Sequence, residues 1–257
     1  MTNPLHGPIT IFSPRHLPSW MLLAFGAGAV NAVAFLASMR FVTHVTGTVT
    51  RLGLDVGAWV LLLDYAIVLA CFIAGAMASV LALDGRRHRG RRALWSVPLW
   101  GVALLLSSVA FAGRLGAFGD FGGAVESAGS FLLLSALAFA MGLQNGAVST
   151  TTGLAVRTTH MTGPATDLGV HLATAYFAQG EGRVSALRGA GLRAGKIAAF
   201  AVGAAAAVPL ARSFEYLAFL LPAGAVVLAT VLSFAESRVR DAEIVVPEPR
   251  GARSTCT

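Results

Sequence analysis

The sequence predicts an all-α, polytopic transmembrane helix bundle of about six spans with two shorter helices set among them. Three observations carry that prediction. The 257 residues are 56% hydrophobic and only 12% charged, whereas soluble domains carry roughly 25% charge. Apolar runs of about 18 residues or more recur along the chain, each long enough at 1.5 Å per residue to cross a hydrocarbon layer of about 30 Å. Finally, Thr43-His44-Val45-Thr46-Gly47-Thr48-Val49-Thr50-Arg51-Leu52-Gly53 returns, 116 positions later, as Thr159-His160-Met161-Thr162-Gly163-Pro164-Ala165-Thr166-Asp167-Leu168-Gly169. Seven of these eleven aligned positions are identical, which reads as an internal duplication.

In chain order, residues 1–18 read as an irregular cytoplasmic lead-in, and the integral-membrane domain as residues 19–235. The first half occupies about 19–112. Its first run, 20–39, is longer than a secretory signal core. The first motif follows, then an apolar continuation at 56–63 and a break at Asp64-Tyr65. Spans at 66–83 and 93–112 flank the segment 84–92, which carries five arginines and one acid. The connection 113–128 is glycine-rich and balanced in charge. The second half, about 129–235, has a span at 129–148 and then the second motif, whose helix is expected to run to about Gln179. A basic loop at 181–193 holds Arg183, Arg188 and Arg193, and spans at 194–211 and 216–235 close the domain. The tail, 236–257, alternates charges around Pro247 and Pro249 and reads as disordered.

The duplication reaches beyond the motifs. Gly28-x-x-Asn31 matches Gly142-x-x-Asn145 at an offset of 114, and Phe72-x-x-Gly75 matches Phe200-x-x-Gly203 at 128. Twelve residues are therefore added after the second motif, and the loop at 181–193 is the expected place for them.

Charge sets the topology. If the motif helices do not cross fully, the basic segments 84–92 and 181–193 and both termini fall on the cytoplasmic side, in keeping with positive-inside bias. Each half then has an odd number of crossings, and the halves lie inverted, as in many transporters. Eight crossings would place 181–193 and the tail outside, against the bias. The expected location is a bacterial inner membrane with both termini cytoplasmic. The formal net charge of +7 does not mark a nucleic-acid binder, because the basic residues cluster in short connections between apolar runs. The lipid bilayer and a small solute are the expected partners, with room left for a homo-oligomer.

Glycine and clustered threonines at membrane depth need a reason, since unpaired backbone groups in hydrocarbon cost several kcal/mol. The pattern reads as a helix start, with Thr46 and Thr162 as N-caps and Pro164 in the first turn. A helix N-terminus in a bilayer offers free N–H groups and a positive dipole end to an anion or a polar oxygen. Behind that start run two stripes at four-residue spacing: Gly47, Arg51 and Asp55 in the first copy, and Gly163, Asp167 and His171 in the second. If the halves meet on a pseudo-two-fold axis, Arg51 would face Asp167 and Asp55 would face His171, either as a structural clamp or as part of a solute path.

The remaining candidates are His44, Thr50, His160 and Thr166 on the motifs, with Gln144 and Asn145 on the preceding span. The histidines are open to three roles: proton carriers, ligand contacts, or interfacial groups bonded to a carbonyl. Gly47, Gly53, Gly163 and Gly169 have a plain alternative as packing residues. No acid or thiol accompanies the histidines at a metal-ligand spacing. No nucleophile elbow, phosphate loop or dinucleotide fingerprint occurs, so neither cofactor nor metal is expected. A transporter or channel for a small polar or anionic solute is the leading reading. The competitors are an integral-membrane enzyme acting on a lipid or isoprenoid, which would lack an evident acid–base constellation, and a membrane scaffold or assembly subunit.

On Phe41-Val42-Thr43-His44-Val45-Thr46-Gly47, Gly142-Leu143-Gln144-Asn145, Thr158-Thr159-His160-Met161-Thr162-Gly163 and Asp167-Leu168-Gly169, the chain resembles the YoaK-like family of bacterial multi-pass membrane proteins, a domain of unknown function. The resemblance covers roughly residues 20–235. It implies a multi-pass helical fold and brings no substrate. Asn31 stands where that pattern commonly has an acid, and His160 where it commonly has Tyr.

Overall fold

A computed structural model describes residues 8–88, 94–123, 127–154 and 156–234. The tail 236–257, part of the lead-in and part of the basic segment 84–92 lie outside the described residues. What is described is helical throughout: α1 (Pro8–Ile11), α2 (Leu17–Ser38), α3 (Val45–Leu54), α4 (Trp59–His88), α5 (Val97–Arg114), α6 (Ala128–Thr151), α7 (Thr162–Phe177), α8 (Gly180–Phe214), a 3-10 turn (Glu215–Phe219) and α9 (Leu220–Ser233). Five stretches are long and apolar enough to cross a membrane: α2, most of α4, α5, α6, and Gly180–Ser233, the last broken at Glu215. The two motif helices, α3 and α7, are shorter and stand apart from these.

The outer faces fit a lipid solvent. Leu63, Leu81 and Leu104 are 62%, 68% and 70% exposed, and contiguous apolar surface of this kind is rare on soluble monomers. The interior is correspondingly tight, with Trp20, Leu23, Leu99, Leu106, Leu134, Leu137, Met141 and Phe219 almost wholly enclosed.

The bundle is held by two large helix pairs, α2 against α8 and α4 against α6, and both use one device. A Cβ added to Gly28 would overlap the carbonyl of Phe200, and one added to Gly203 would overlap the carbonyl of Phe25. In the other pair, Gly142 lies against the Phe72 carbonyl and Gly75 against that of Phe139. All four are Phe-x-x-Gly steps. Small residues there let the backbones meet, which is how helices associate when lipid offers no hydrophobic drive.

Three expectations change. Residues 181–193 are not a loop but the first third of α8, which runs 35 residues from Gly180 to Phe214. The stretch is rich in Ala, Leu and Arg, all strong helix formers, contains no Pro, and opens with Glu181 at the favourable end of the dipole. The residues expected as an inserted loop are thus helix. Asp64 and Tyr65 do not break the chain either: they lie inside α4. The break falls earlier, between Asp55 and Ala58, where Gly57 has φ +105°, a conformation open to glycine. At the other end α4 runs on through 84–88, ahead of the undescribed residues. In the lead-in, α1 and the first turn of α2 are already helical, with the Trp20 indole N–H donating to the Ile11 carbonyl at 3.2 Å.

Candidate functional site

Each motif helix is preceded by a short connector that is fastened to the span before it. In the first half, the Asn31 side-chain carbonyl accepts from the Val42 and Thr43 amides at 3.2 and 3.0 Å, and its amide donates to the Thr43 hydroxyl at 2.6 Å. In the second, the Asn145 carbonyl oxygen accepts from the Thr158 amide at 3.2 Å. Its neighbour Gln144 donates to the Thr158 hydroxyl at 2.9 Å and to the Leu23 carbonyl at 3.1 Å. Gln144 is fully enclosed. Gln144 and Asn145 therefore secure the connector, and Gln144 also reaches α2.

The helix starts differ from the expected caps. His44 and Met161 occupy the N-cap positions, with no side-chain cap bond from either. Thr46 and Thr162 lie within the first turn. Their carbonyls accept from the Thr50 and Thr166 hydroxyls at 2.9 and 3.1 Å, the back-bonding that threonine adopts inside helices. In α7 a cap is supplied instead by a histidine ring: the Gly163 amide donates to His160 Nε2 at 3.2 Å. Gly47 and Gly163 both lie against the ring of the histidine three residues before them. Gly53 and Gly169 have nothing within 4 Å of an added Cβ, so neither is a packing glycine.

Two separate cavities open at these helix starts. The first, about 690 Å³, is lined by His44, Thr46, Gly47, Thr50, Arg51 and Asp55 of the motif segment, with Arg40, Tyr65 and Val68 among the opposing residues. Arg40 lies between the rings of Tyr65 and Phe131, 4.8 and 5.0 Å from their centroids, a favourable setting for a partly desolvated guanidinium. The second cavity, about 310 Å³, is lined by His160, Gly163, Pro164 and Asp167, with Arg157, Arg193 and Lys196.

The structure thus gathers six of the sequence candidates at the first cavity and three at the second. It does not join the two sets. Asp167 pairs with Arg193 at 3.5 Å, and among the described residues no ion pair links Arg51 to Asp167 or Asp55 to His171. The His171 ring packs instead against α8, where a Cβ at Gly189 would meet it. The reason is topological: α3 lies on α4 and α7 on α8, so each stripe faces the long helix that follows it. Thr162 and Thr166 stay exposed on α7. Among the described residues no three His, Cys, Asp or Glu side chains gather as a metal site.

Residues 19–232 match the family described as Protein of unknown function (DUF1275). The chain belongs to this family. No curated protein and no solved structure matches it. With its apolar, outward-facing helices, this DUF1275 chain is an integral membrane protein.

The important residue that reading the motifs missed is Lys196. It is the only lysine in the 257-residue sequence, it is 4% exposed, and it lines the second cavity. A signal was present. The offset of 128 that relates Phe72 to Phe200 also relates Tyr65 to Arg193 and Val68 to Lys196. These four residues line the two cavities at matching places on α4 and α8. A lone ammonium in an apolar run is itself a functional pointer.

Proposed function

We propose that this DUF1275 protein moves a small polar or anionic solute across a bacterial inner membrane, through sites at the starts of α3 and α7. The single observation that carries the reading is that both motif helices open on a cavity with charged side chains in its lining, in a chain of otherwise largely apolar helices. Lipid-embedded proteins keep charges where they pair, meet water or meet a ligand. The role of each start is then to offer the positive end of a helix dipole to the solute, with free first-turn N–H groups chiefly at α3, since the Gly163 amide of α7 is taken by His160.

We read the two halves as an inverted internal duplication within one membrane domain, with both termini cytoplasmic. The four Phe-x-x-Gly contacts support the duplication, since each half contributes the same step to each helix pair. The paired Asn31 and Asn145 fastenings support it as well. The basic segments at 84–92 and in the first third of α8 support the orientation.

The test is transport in proteoliposomes, offering a mixture of small carboxylates, amino acids and phosphate and reading the lumen by mass spectrometry. Uptake is expected for wild-type protein and is expected to fall at least about tenfold in Arg51→Gln/Asp167→Asn, a barrier change of roughly 1.4 kcal/mol. Uptake unchanged in this double variant would overturn a path at these cavities.

A further inference from the structure

The two cavities occupy matching places but differ in charge, the second carrying one more positive charge than the first. Around the first, Arg40 and Arg51 stand against Asp55, with Tyr65 and Val68 on α4. Around the second, Arg157, Arg193 and Lys196 stand against Asp167 alone. Val68 fills in the first half the place that Lys196 takes in the second, so packing at this site does not call for a lysine.

Lys196 has no compensating partner of its own. Among the described residues it makes no hydrogen bond and no ion pair, and the one nearby carboxylate, Asp167, is bound to Arg193. Asp167 is 54% exposed and Lys196 only 4%, so the acid stands toward solvent and the lysine is the more enclosed of the two. An ammonium on a largely buried, cavity-lining side chain, with no hydrogen bond or ion pair of its own, is open to an anion as partner. The α7 N-terminus adds its positive dipole end on the same side. Arg157, Arg193, Lys196 and the dipole of α7 favour negative charge here, Asp167 opposes it, and the lining carries an excess of two positive charges.

We propose that the second cavity binds a phosphate-class oxyanion, with Lys196 and Arg193 as its cationic contacts. A doubly charged oxyanion matches the excess charge of the lining, and the volume of about 310 Å³ holds a phosphate with room for a small substituent. The same chemistry is offered by free phosphate and by the phosphate of a lipid headgroup. The inference rests on the reading of this cavity as a solute site, but it concerns binding and is measured without flux.

The experiment uses the full chain purified in detergent. Because Lys196 is the only lysine, acylation with an N-hydroxysuccinimidyl acetate reagent, followed by mass spectrometry, reports on one side chain. Sodium phosphate is compared with sodium chloride at equal ionic strength. In nanodiscs, phosphatidylcholine alone is compared with phosphatidylcholine containing phosphatidic acid. At about ten times the dissociation constant roughly a tenth of sites stay free, so acylation of Lys196 is expected to slow about tenfold. Protection by sodium phosphate assigns the site to a free solute, and protection by phosphatidic acid alone assigns it to a headgroup. Thermal melting supplies a second readout if the ammonium is sealed from the reagent. Phosphate or phosphatidic acid should raise the melting temperature of wild type and Lys196→Arg, and should raise it much less in Lys196→Met and Arg193→Gln. Equal acylation in all arms, or melting shifts that are the same in wild type and Lys196→Met, overturn the proposal. Flux of another solute that survives such a result would leave the transport reading standing.

Discussion

Asn31 grips Thr43 from both sides: its carbonyl oxygen accepts from the Thr43 amide at 3.0 Å while its amide donates to the Thr43 hydroxyl at 2.6 Å. Both residues are buried, 8% exposed each. This contact sets where the chain leaves α2 and where α3 begins, and so where the first cavity opens. The ten residues of α3 include Thr46, Val49 and Thr50 along with Gly47 and Gly53, weak helix formers, and none of the ten is buried. A helix this short and exposed depends on how it is anchored.

Asn31→Ala should therefore destabilise the protein by about 1–3 kcal/mol, because it strands the buried Val42 and Thr43 amides. Asn31→Asp should cost much less. A carboxylate accepts from both amides and from the Thr43 hydroxyl, which turns to donate. Thermal unfolding in detergent measures both, and equal losses for Ala and Asp would contradict the role given to the acceptor oxygen.

The glycines divide into two groups with opposite expected responses. Gly28→Ala and Gly142→Ala each press a methyl group into a carbonyl of the facing helix, and overpacking of this kind costs about 1–3 kcal/mol. Gly53→Ala and Gly169→Ala place the methyl in open space, where replacing a helical glycine gains roughly 0.5–1 kcal/mol. The four melting temperatures should fall on both sides of wild type. A loss at Gly53 or Gly169 comparable to that at Gly28 would contradict this division.

Much of the architecture was legible in the sequence because membrane helices announce themselves by length and apolarity. The runs found for α2, α5 and α6 agree with the structure to within a few residues, and the two short motif helices stand apart from the long ones as expected. What misled was charge and polarity inside a helix. Asp64 with Tyr65, and the arginines at 183, 188 and 193, look like punctuation in a hydropathy reading, yet all five lie within continuous helix, the arginines fanned around α8 at about 140° intervals. The sites were legible by position but not by partner. The motif residues do line cavities, but the pairing of Arg51 with Asp167 assumed that the motif helices face each other. Nothing in either segment encodes that α3 packs on α4 and α7 on α8. Lys196 lies outside both motif segments and stands out only as the single lysine of the sequence or when the offset of 128 is applied position by position.

His160→Ala should loosen the first turn of α7, since it removes the acceptor for the Gly163 amide. The loss belongs at the low end of the range for caps, about 0.5–1 kcal/mol, because the site is exposed and water can replace the ring. Amide hydrogen exchange localises the effect. Faster exchange at Gly163, with α8 unchanged, is the expected pattern. Exchange at Gly163 identical to wild type would show that the ring does not cap.

The ion pair at the second cavity separates two accounts of the motif charges. If Arg51 and Asp167 clamped the halves together, reversing both charges would restore what each single reversal removes. The geometry assigns Asp167 to Arg193 instead, at 3.5 Å with the acid half exposed. Pairs this exposed couple by about 0.2–1 kcal/mol. A double-mutant cycle on Asp167→Asn and Arg193→Gln should therefore give a coupling in that range, weakening as salt is raised. The same cycle on Asp167→Asn and Arg51→Gln should give nothing beyond error, since distant independent sites add. Asp167→Asn alone should leave the melting temperature nearly unchanged while removing the one acid that opposes Arg157, Arg193 and Lys196. Its effect should appear as tighter phosphate binding at the second cavity. A large coupling between Arg51 and Asp167 would mean that the two motif helices meet in a state other than this one, and the clamp would then return as the better account.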